Sequence, residues 1–353
     1  MKTEAAKTFK PPRNNNNFLS QFKVSFTMVN EFPWMKPRKM LVKKQAGTSP
    51  NYGRNPEERS TKELLEYGIV NIDKPSGPSS HQVGWYVKHI LQINKTGHSG
   101  TLDPKVTGVL PVALGRGTRI VQSLLTAGKE YVCLMQVHAD VEEKKLRDTI
   151  MSFEGEIDQL PPVRSAVKRQ QRKRTIYYID IIEIVGREVL FRVGCQAGTY
   201  IRKICSDIGL KLGTKAHMVE LRRTRAGPFD ESTLCTLQEL TDAYFYYAEK
   251  QDDKELRKLI VPVEHGARHL PKVWVLDSTV DTLCHGAYLN VPGISKVEEG
   301  IGPGDKVAVL TLKGELISVG ISQMHSEDAV KKNKGLFIKP EQVFMEPGTY
   351  KKI

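Results

Sequence analysis

The residues best suited to chemistry lie in one short segment, Gly97-His98-Ser99-Gly100-Thr101-Leu102-Asp103-Pro104, which runs on to Gly108-Val109-Leu110-Pro111-Val112. Glycines at 97, 100 and 108 let the backbone approach a ligand closely, and Pro104 stiffens the exit behind Asp103. A carboxylate presented in this way is a candidate nucleophile. Asp before proline is also an ordinary turn residue, so the loop alone leaves a catalytic and a turn reading open. Cys133, Cys195, Cys205, Cys235 and Cys284 are odd in number, widely spaced and without a CxxC pair. They imply neither a zinc site nor a disulfide framework, and buried thiols in a reducing compartment are expected.

The loop must be positioned by the elements around it. Gly68 to Asp73 reads as a short buried strand, ended by Lys74-Pro75-Ser76-Gly77-Pro78. Ser79 or Ser80 can cap a following helix with Val83, Val87, Ile90 and Leu91 on one face. The stretch from Gly97 to Gly117 reads as a glycine-rich loop. Glu130 to His138 alternates as a strand, and Glu142 to Phe153 is an amphipathic helix. Thr175 to Ile184 and Glu188 to Cys195 form a hairpin around Gly186, before a helix from Tyr200 to Leu212. Strands and helices interleave without a regular βαβ repeat, which predicts an α+β fold with a mixed sheet. Glu249–Arg257 and the loop His265–Leu270 mark a boundary, beyond which short β runs split by Gly and Pro predict a small barrel-like domain. Trp85, Tyr177 and Tyr178 read as core.

The chain of 353 residues carries 53 basic and 40 acidic residues, a net charge of +13. Residues 1–66 hold 13 basic against 6 acidic residues. A second cluster, Arg164, Lys168, Arg169, Arg172, Lys173 and Arg174, contains no acid. Clustered basic charge of this kind is the footprint of a nucleic-acid partner. No apolar run approaches the ~20 residues needed to cross a bilayer, and no signal peptide is read at the start, so a soluble protein without membrane association is expected. The proline-rich first sixty residues read as an arm, the first thirty of them disordered.

Gly-His-Ser-Gly-Thr-Leu-Asp-Pro resembles the catalytic loop of the TruB/dyskerin family of pseudouridine synthases. Four further segments match in the family's order: Asn71-Ile72-Asp73-Lys74-Pro75, Lys129-Glu130-Tyr131, Gly198-Thr199-Tyr200-Ile201-Arg202, and His217 to Arg223. The resemblance implies that Asp103, Tyr131 and Arg202 are catalytic and that Lys74, His98, Tyr200 and Leu221 line the substrate pocket, with packing the main role of Leu221. The implied reaction detaches uracil from C1′ of uridine and reattaches it through C5. No atom is gained or lost, so neither a cofactor nor a metal is required. An ionised Asp103 supplies the carboxylate such glycosyl chemistry needs. Arg202 pairs with it, and an ion pair can lower a carboxylate pKa by ~1–3 units. Tyr131 stacks on the base and offers a phenol for proton transfer. His98 fills the space left by the extruded nucleotide.

His285-Gly286-Ala287-Tyr288-Leu289, Val291-Pro292-Gly293-Ile294 and Gly302-Pro303-Gly304-Asp305 resemble a PUA domain, in which His285, Gly286, Ala287 and Tyr288 are candidate RNA contacts. Tyr288 departs from the acidic residue common there. Pro161 to Arg169 and Leu270 to Val275 resemble the archaeal and eukaryotic dyskerin branch. The organisation expected is a basic extension over 1–60, its latter part docking on the PUA domain, a catalytic domain over 61–265 and a PUA barrel over 270–348. The branch implies a guide RNA, substrate rRNA and, as a further substrate, tRNA. It also implies three small proteins: a zinc-ribbon protein, a β-barrel protein and a kink-turn binder reached through the RNA. The long lysine-rich tails typical of eukaryotic members are absent from the sequence, so the expectation is an archaeal catalytic subunit of an H/ACA ribonucleoprotein in the cytoplasm, whereas a eukaryotic chain would belong in the nucleolus. A standalone tRNA enzyme and a non-catalytic RNA scaffold are the competing expectations.

Overall fold

The computed structural model describes residues 32–161 and 170–351. The first half of the arm and the basic residues Arg164, Lys168 and Arg169 lie outside the described residues. The described arm touches both domains. Phe32 is fully buried, stacks on Trp34 and meets the edges of Tyr177 and Tyr178. Strand β1 (Met40–Val42) instead adds an edge strand to the C-terminal sheet, where Thr48 and the Ser49 amide bond Asp277.

Helix α1 (Thr61–Tyr67) starts at a capping box between Ser60 and Glu63 and runs directly into β2 (Gly68–Lys74). Ser79 caps α2 (Ser80–Ile90), which leaves Ser80 for another task. The expected loop from Gly97 to Gly117 is mostly not loop. It contains β3 (Thr96–His98) and β4 (Thr107–Leu114), whose eight residues are all buried. Gly108 and Pro111 disguise an apolar strand that pairs with β2 from Ile69↔Ala113 to Lys74↔Gly108. The irregular segment shrinks to residues 99–106.

Next come α3 (Val121–Thr126), β5 (Lys129–Val137), α4 (Glu143–Met151) and β6 (Gly155–Gln159). The hairpin β7 (Arg172–Val185) and β8 (Glu188–Cys195) precedes α5 (Ile201–Lys211), β9 (Ala216–Ala226) and β10 (Phe229–Asp230). The sheet order is β11-β2-β4-β9-β5-β8-β7-β6, where β11 is Ile260–Pro262, with β3 on β4 and β10 on β9. Among these described strands only β4 and β9 pair in parallel, at Thr107↔Arg222 and Gly108↔Arg223. That close approach requires glycine at 108: φ is +100° and a Cβ would stand 2.2 Å from the Arg223 carbonyl oxygen.

The mixed-charge stretch at 249–257 does not separate the domains. It spans the end of α6 (Leu237–Lys250) and most of α7 (Lys254–Leu259), after which β11 returns to pair with β2. The C-terminal unit holds β12 (Lys272–Val275), α8 (Asp277–Cys284), β13 (Leu289–Asn290), β14 (Ile294–Glu298) and β15 (Lys306–Leu310). β16 (Leu316–Ser322), α9 (Ser326–Lys331) and β17 (Leu336–Val343) complete it, in a seven-stranded sheet ordered β1-β14-β12-β15-β16-β17-β13.

Trp85 corrects the sequence reading. It is 52% exposed, because the buried face of α2 is Val83, Gly84 and Val87. Tyr178 is core, its hydroxyl donating to Glu130 at 2.5 Å. All five cysteines are buried and free.

One apolar cluster is shared by the two sheets, joining Ile69, Val109 and Leu124 to Ala308, Val319 and Phe344. Glu264 bolts this junction. Its oxygens accept from Arg59 at 2.6 and 2.8 Å and from the Leu316 amide at 2.9 Å. Replacing it with alanine strands a mostly buried guanidinium and an amide. Glu264→Ala should therefore lower unfolding free energy by about 2–4 kcal/mol. Urea denaturation should also show Glu264→Gln, which keeps an acceptor, recovering part of that loss.

Candidate active site

Asp103 sits at the open end of the irregular segment, between two anchors. Leu102 and Val106 are buried, while the Asp103 side chain remains 56% exposed. Ser80 holds the near anchor from both sides: its Oγ accepts from the Leu102 amide at 2.7 Å and donates to the Leu102 carbonyl at 3.2 Å. Beyond the carboxylate, the Val106 amide donates to the Asp103 carbonyl and the Gly77 amide to that of Pro104. The loop is thus fixed through its backbone, leaving the carboxylate free.

Lys74 differs in place from a residue that faces a bound base. It is fully buried, and Nζ donates to the carbonyls of Pro75, Pro104 and Val106 at 2.8–2.9 Å. Burial and the nearby Arg223 guanidinium push its ammonium down to about 8, against the opposing pull of Asp103. Its three hydrogens therefore clasp the loop from beneath.

Arg202 forms an ion pair with Asp103 through Nη2. It is the second residue of α5, and the start of that helix is itself held. The Tyr200 amide donates to Gln159 Oε1 at 3.0 Å, and the Tyr200 carbonyl accepts from Gln159 Nε2 at 3.2 Å. Gln159 is 2% exposed, at the end of β6. Tyr200 itself is half-buried.

Tyr131 and Arg223 face each other across β5 and β9, and the guanidinium charge acts on the phenol from that position. Burial pushes the phenol up, so it keeps its proton at neutral pH and serves as a donor rather than a base. Leu221, opposite Cys133 on the same pair of strands, is 8% exposed and packs into the core of the first domain. His98, on β3, is half-buried with Nδ1 unpartnered. Burial, Arg223 and His81 together lower its pKa and favour the neutral ring.

The structure thus sets Lys74, His98 and Tyr131 near the buried Arg223 guanidinium and the Asp103–Arg202 pair on the loop that Lys74 clasps, with Tyr200 and Leu221 in the bordering elements. His285, Gly286, Ala287 and Tyr288 belong to the other sheet, in the turn after α8. There Tyr288 is 51% exposed and Gly286 has φ +85°. Among the described residues no cluster of three or more His, Cys, Asp or Glu side chains is arranged to hold a metal. No helix among them is long and apolar enough to cross a membrane.

Sequence reasoning missed Arg223, Ser80, Gln159 and Lys129 as individual residues. Strand alternation carried a signal for the first, since 221 and 223 share a face of β9. Lys129 caps the end of α3, donating to Leu124, Leu125 and Ala127 carbonyls at 2.6–2.9 Å. Burial, then Arg223, pushes it from 10.5 to about 7. Between those values the unfolded chain binds a proton that the folded chain does not, so this group makes stability rise with pH. Relative to Lys129→Met, wild-type stability should climb from about pH 7 to 10, by at most about 1.4 kcal/mol per pH unit. Parallel denaturation curves that track each other across that range would contradict this.

Comparisons with known proteins cover nearly the whole described chain. The model for the TruB family pseudouridylate synthase N-terminal domain matches residues 88–201, and that for the tRNA pseudouridylate synthase B C-terminal domain matches 202–267. A DKCLD domain matches 30–84 and a PUA domain 271–344. The "Probable tRNA pseudouridine synthase B" of Methanopyrus kandleri is 52% identical over 320 residues, covering 91% of this chain and 95% of that one. Its namesake in Pyrococcus furiosus is 52% identical over 318 residues, 90% and 94% of the two chains. Among solved structures, a chain of a Cbf5-Nop10-Gar1 complex is 51% identical with a TM-score of 0.89, covering 92% of this chain and 99% of that one. A chain of an H/ACA RNP bound to a substrate RNA containing 2'-deoxyuridine is 49% identical with a TM-score of 0.86, covering 91% and 99%. With this likeness running through both sheets and the Asp103 loop, the chain belongs to the TruB family of pseudouridine synthases, built as an α+β catalytic domain with a C-terminal PUA domain.

Proposed function

We propose that this chain is the catalytic subunit of an archaeal H/ACA ribonucleoprotein, isomerising uridine to pseudouridine in rRNA selected by a guide RNA. The observation that carries the reading is the likeness over more than nine-tenths of the chain to subunits solved in such particles. Proteins matching Nop10 and Gar1 are the expected companions, with a kink-turn binder joining through the RNA. A cytoplasmic site follows from the archaeal assignment.

In this reading Asp103 carries the chemistry. Its carboxylate is open to a ligand and aimed by Arg202, while the loop beneath is fixed, so little reorganisation is needed when substrate arrives. Tyr131 supports the base, and neutral His98 occupies the gap left in the RNA without a charge to attract phosphate. Lys74 serves the pocket from below by holding the Asp103 loop. Tyr200 borders the pocket through the α5 start, and Leu221 packs beneath. In this reading the exposed turn from His285 to Tyr288 contacts the guide RNA. No cofactor or metal is assigned.

A second reading, a standalone tRNA enzyme, is favoured by the names of the curated relatives. A non-catalytic scaffold would not need Asp103, Arg202 and Tyr131 drawn together. Reconstitution with a guide, the companion proteins and a paired target, followed by mapping of pseudouridine, tests the proposal. Wild type should convert the paired uridine, and Asp103→Asn should fall by at least about 10³-fold while binding guide normally. Conversion of a tRNA transcript by the isolated chain, with none in the guided target, would favour the second reading. No product from either substrate would favour the scaffold.

A further inference from the structure

Arg223 is 1% exposed and ranks first by volume among the fully buried side chains. A guanidinium stays charged in a protein, and removing that charge from water is costly unless an anion or a full set of acceptors offsets it. Two other deeply buried arginines have carboxylates. Arg192 lies beside Asp180 and Glu130, and Arg222 pairs with Asp73 and Glu231. Arg223 has no carboxylate in ion-pair range among the described residues. Its Nε donates to the Val109 carbonyl at 2.7 Å and its Nη2 to the Gly100 carbonyl at 3.3 Å. Tyr131 stands directly opposite it on β5, within reach of the same guanidinium charge.

These partners tie the charge to the reacting centre. Gly100 lies in the segment that presents Asp103, Val109 is in the strand that follows it, and Tyr131 borders the same pocket. The reaction proposed above puts negative charge on the uracil ring. When N1–C1′ breaks, its electron pair stays with N1 and spreads onto O2 and O4. Addition of the carboxylate to C6 would put the charge on O4 instead. The ring then forms C5–C1′, the C5 proton leaves and N1 takes one, so the product is an isomer. Each route passes through an anionic base, and each gains from a donor aimed at it.

We propose that Arg223 is a positioning residue that makes Tyr131 a polarised hydrogen-bond donor towards the uracil anion, whose charge is the missing counterion for the buried guanidinium. In the proposed arrangement a guanidinium N–H engages a lone pair of the phenol oxygen across the strand pair, which leaves the phenol hydrogen for an oxygen of the base. Cooperative polarisation along such a chain strengthens the outer bond. Arg223 contributes most when charge is on the base and little when neutral uridine binds. Its effect therefore falls on the chemical step rather than on substrate affinity.

This inference rests on the proposed reaction, and single-turnover rates in the assembled particle separate the two. Wild type, Arg223→Gln, Arg223→Lys, Tyr131→Phe and the Arg223→Gln/Tyr131→Phe double variant are compared, with target-RNA affinity measured alongside. Arg223→Gln should slow conversion by about 10²-fold with affinity changed by less than about threefold. The double variant should be no more than about threefold slower than the slower single variant, because both changes break one chain of bonds. If Arg223→Gln fails to fold by circular dichroism, Arg223→Lys carries the test. It keeps the charge but loses the planar fork, and should show a loss of about tenfold that disappears in the Tyr131→Phe background. A silent wild type would remove the functional reading itself. An active wild type would overturn the role of Arg223 if a folded variant kept its rate, lost only affinity, or combined multiplicatively with Tyr131→Phe.

Discussion

Buried cations that spend their hydrogens on main-chain carbonyls hold the rest of the site in place. An irregular segment between two strands leaves carbonyls without ladder partners, and each one buried and unpaired costs about 1–3 kcal/mol. A lysine ammonium brings three donors to one point and can close three such positions together. Lys74 does this under the Asp103 segment, and Lys129 at the end of α3. Arg223 spans Gly100 and Val109 in the same manner. The cost is desolvation, visible in the downward displacement of both lysines to about 8 and 7. Each cation also worsens the next, since the charge of Arg223 contributes to both displacements. Such crowding persists only where the backbone it fixes could not otherwise hold its shape.

The ion pair between Asp103 and Arg202 obeys a different logic. Both side chains are more than half exposed, and pairs in that setting contribute roughly 0–1 kcal/mol to stability. Its value lies in direction. The carboxylate comes from a loop clasped from beneath and the guanidinium from a helix start held by Gln159, so the pair meets across two rigid supports. Covering the site with a ligand would exclude water and strengthen the same contact several-fold without moving either side chain.

Residue types and local period were legible in the sequence, and partnerships across distance were not. The buried strand at Gly68, the hairpin around Gly186 and the short strands after Pro271 all follow from composition and alternation. The segment from Gly97 to Gly117 misled because glycine and proline read locally as loop, whereas the neighbours β2 and β9 make a strand of 107–114. Trp85 misled because aromatic residues are usually buried, while its position on α2 points away from the core. Asp103 and Arg202 were identified by motif, and their pairing closes a gap of 99 residues. Ser80 with Leu102, Gln159 with Tyr200 and Arg223 with Gly100 required the fold, because nothing in a polar residue's own neighbourhood names its distant acceptor.

The distribution of donors also bears on how a target is chosen. Reading a base by hydrogen bonds takes polar groups that are fixed in place yet free to bond outward. Here Lys74 and Lys129 give their hydrogens to carbonyls, Ser80 is engaged twice with Leu102, and Arg223 is directed inward. Of the site's side chains, the Asp103 carboxylate with Arg202, Tyr131 and His98 are left exposed or half-buried. In the proposed reading those groups hold a uracil and act on it, and they offer few contacts to the nucleotides on either side. The same commitments that fix the Asp103 loop therefore leave the pocket poorly equipped to read a sequence. Selection of one uridine among many has to be supplied from outside the pocket, and base pairing to a second RNA strand supplies it without asking more of these side chains.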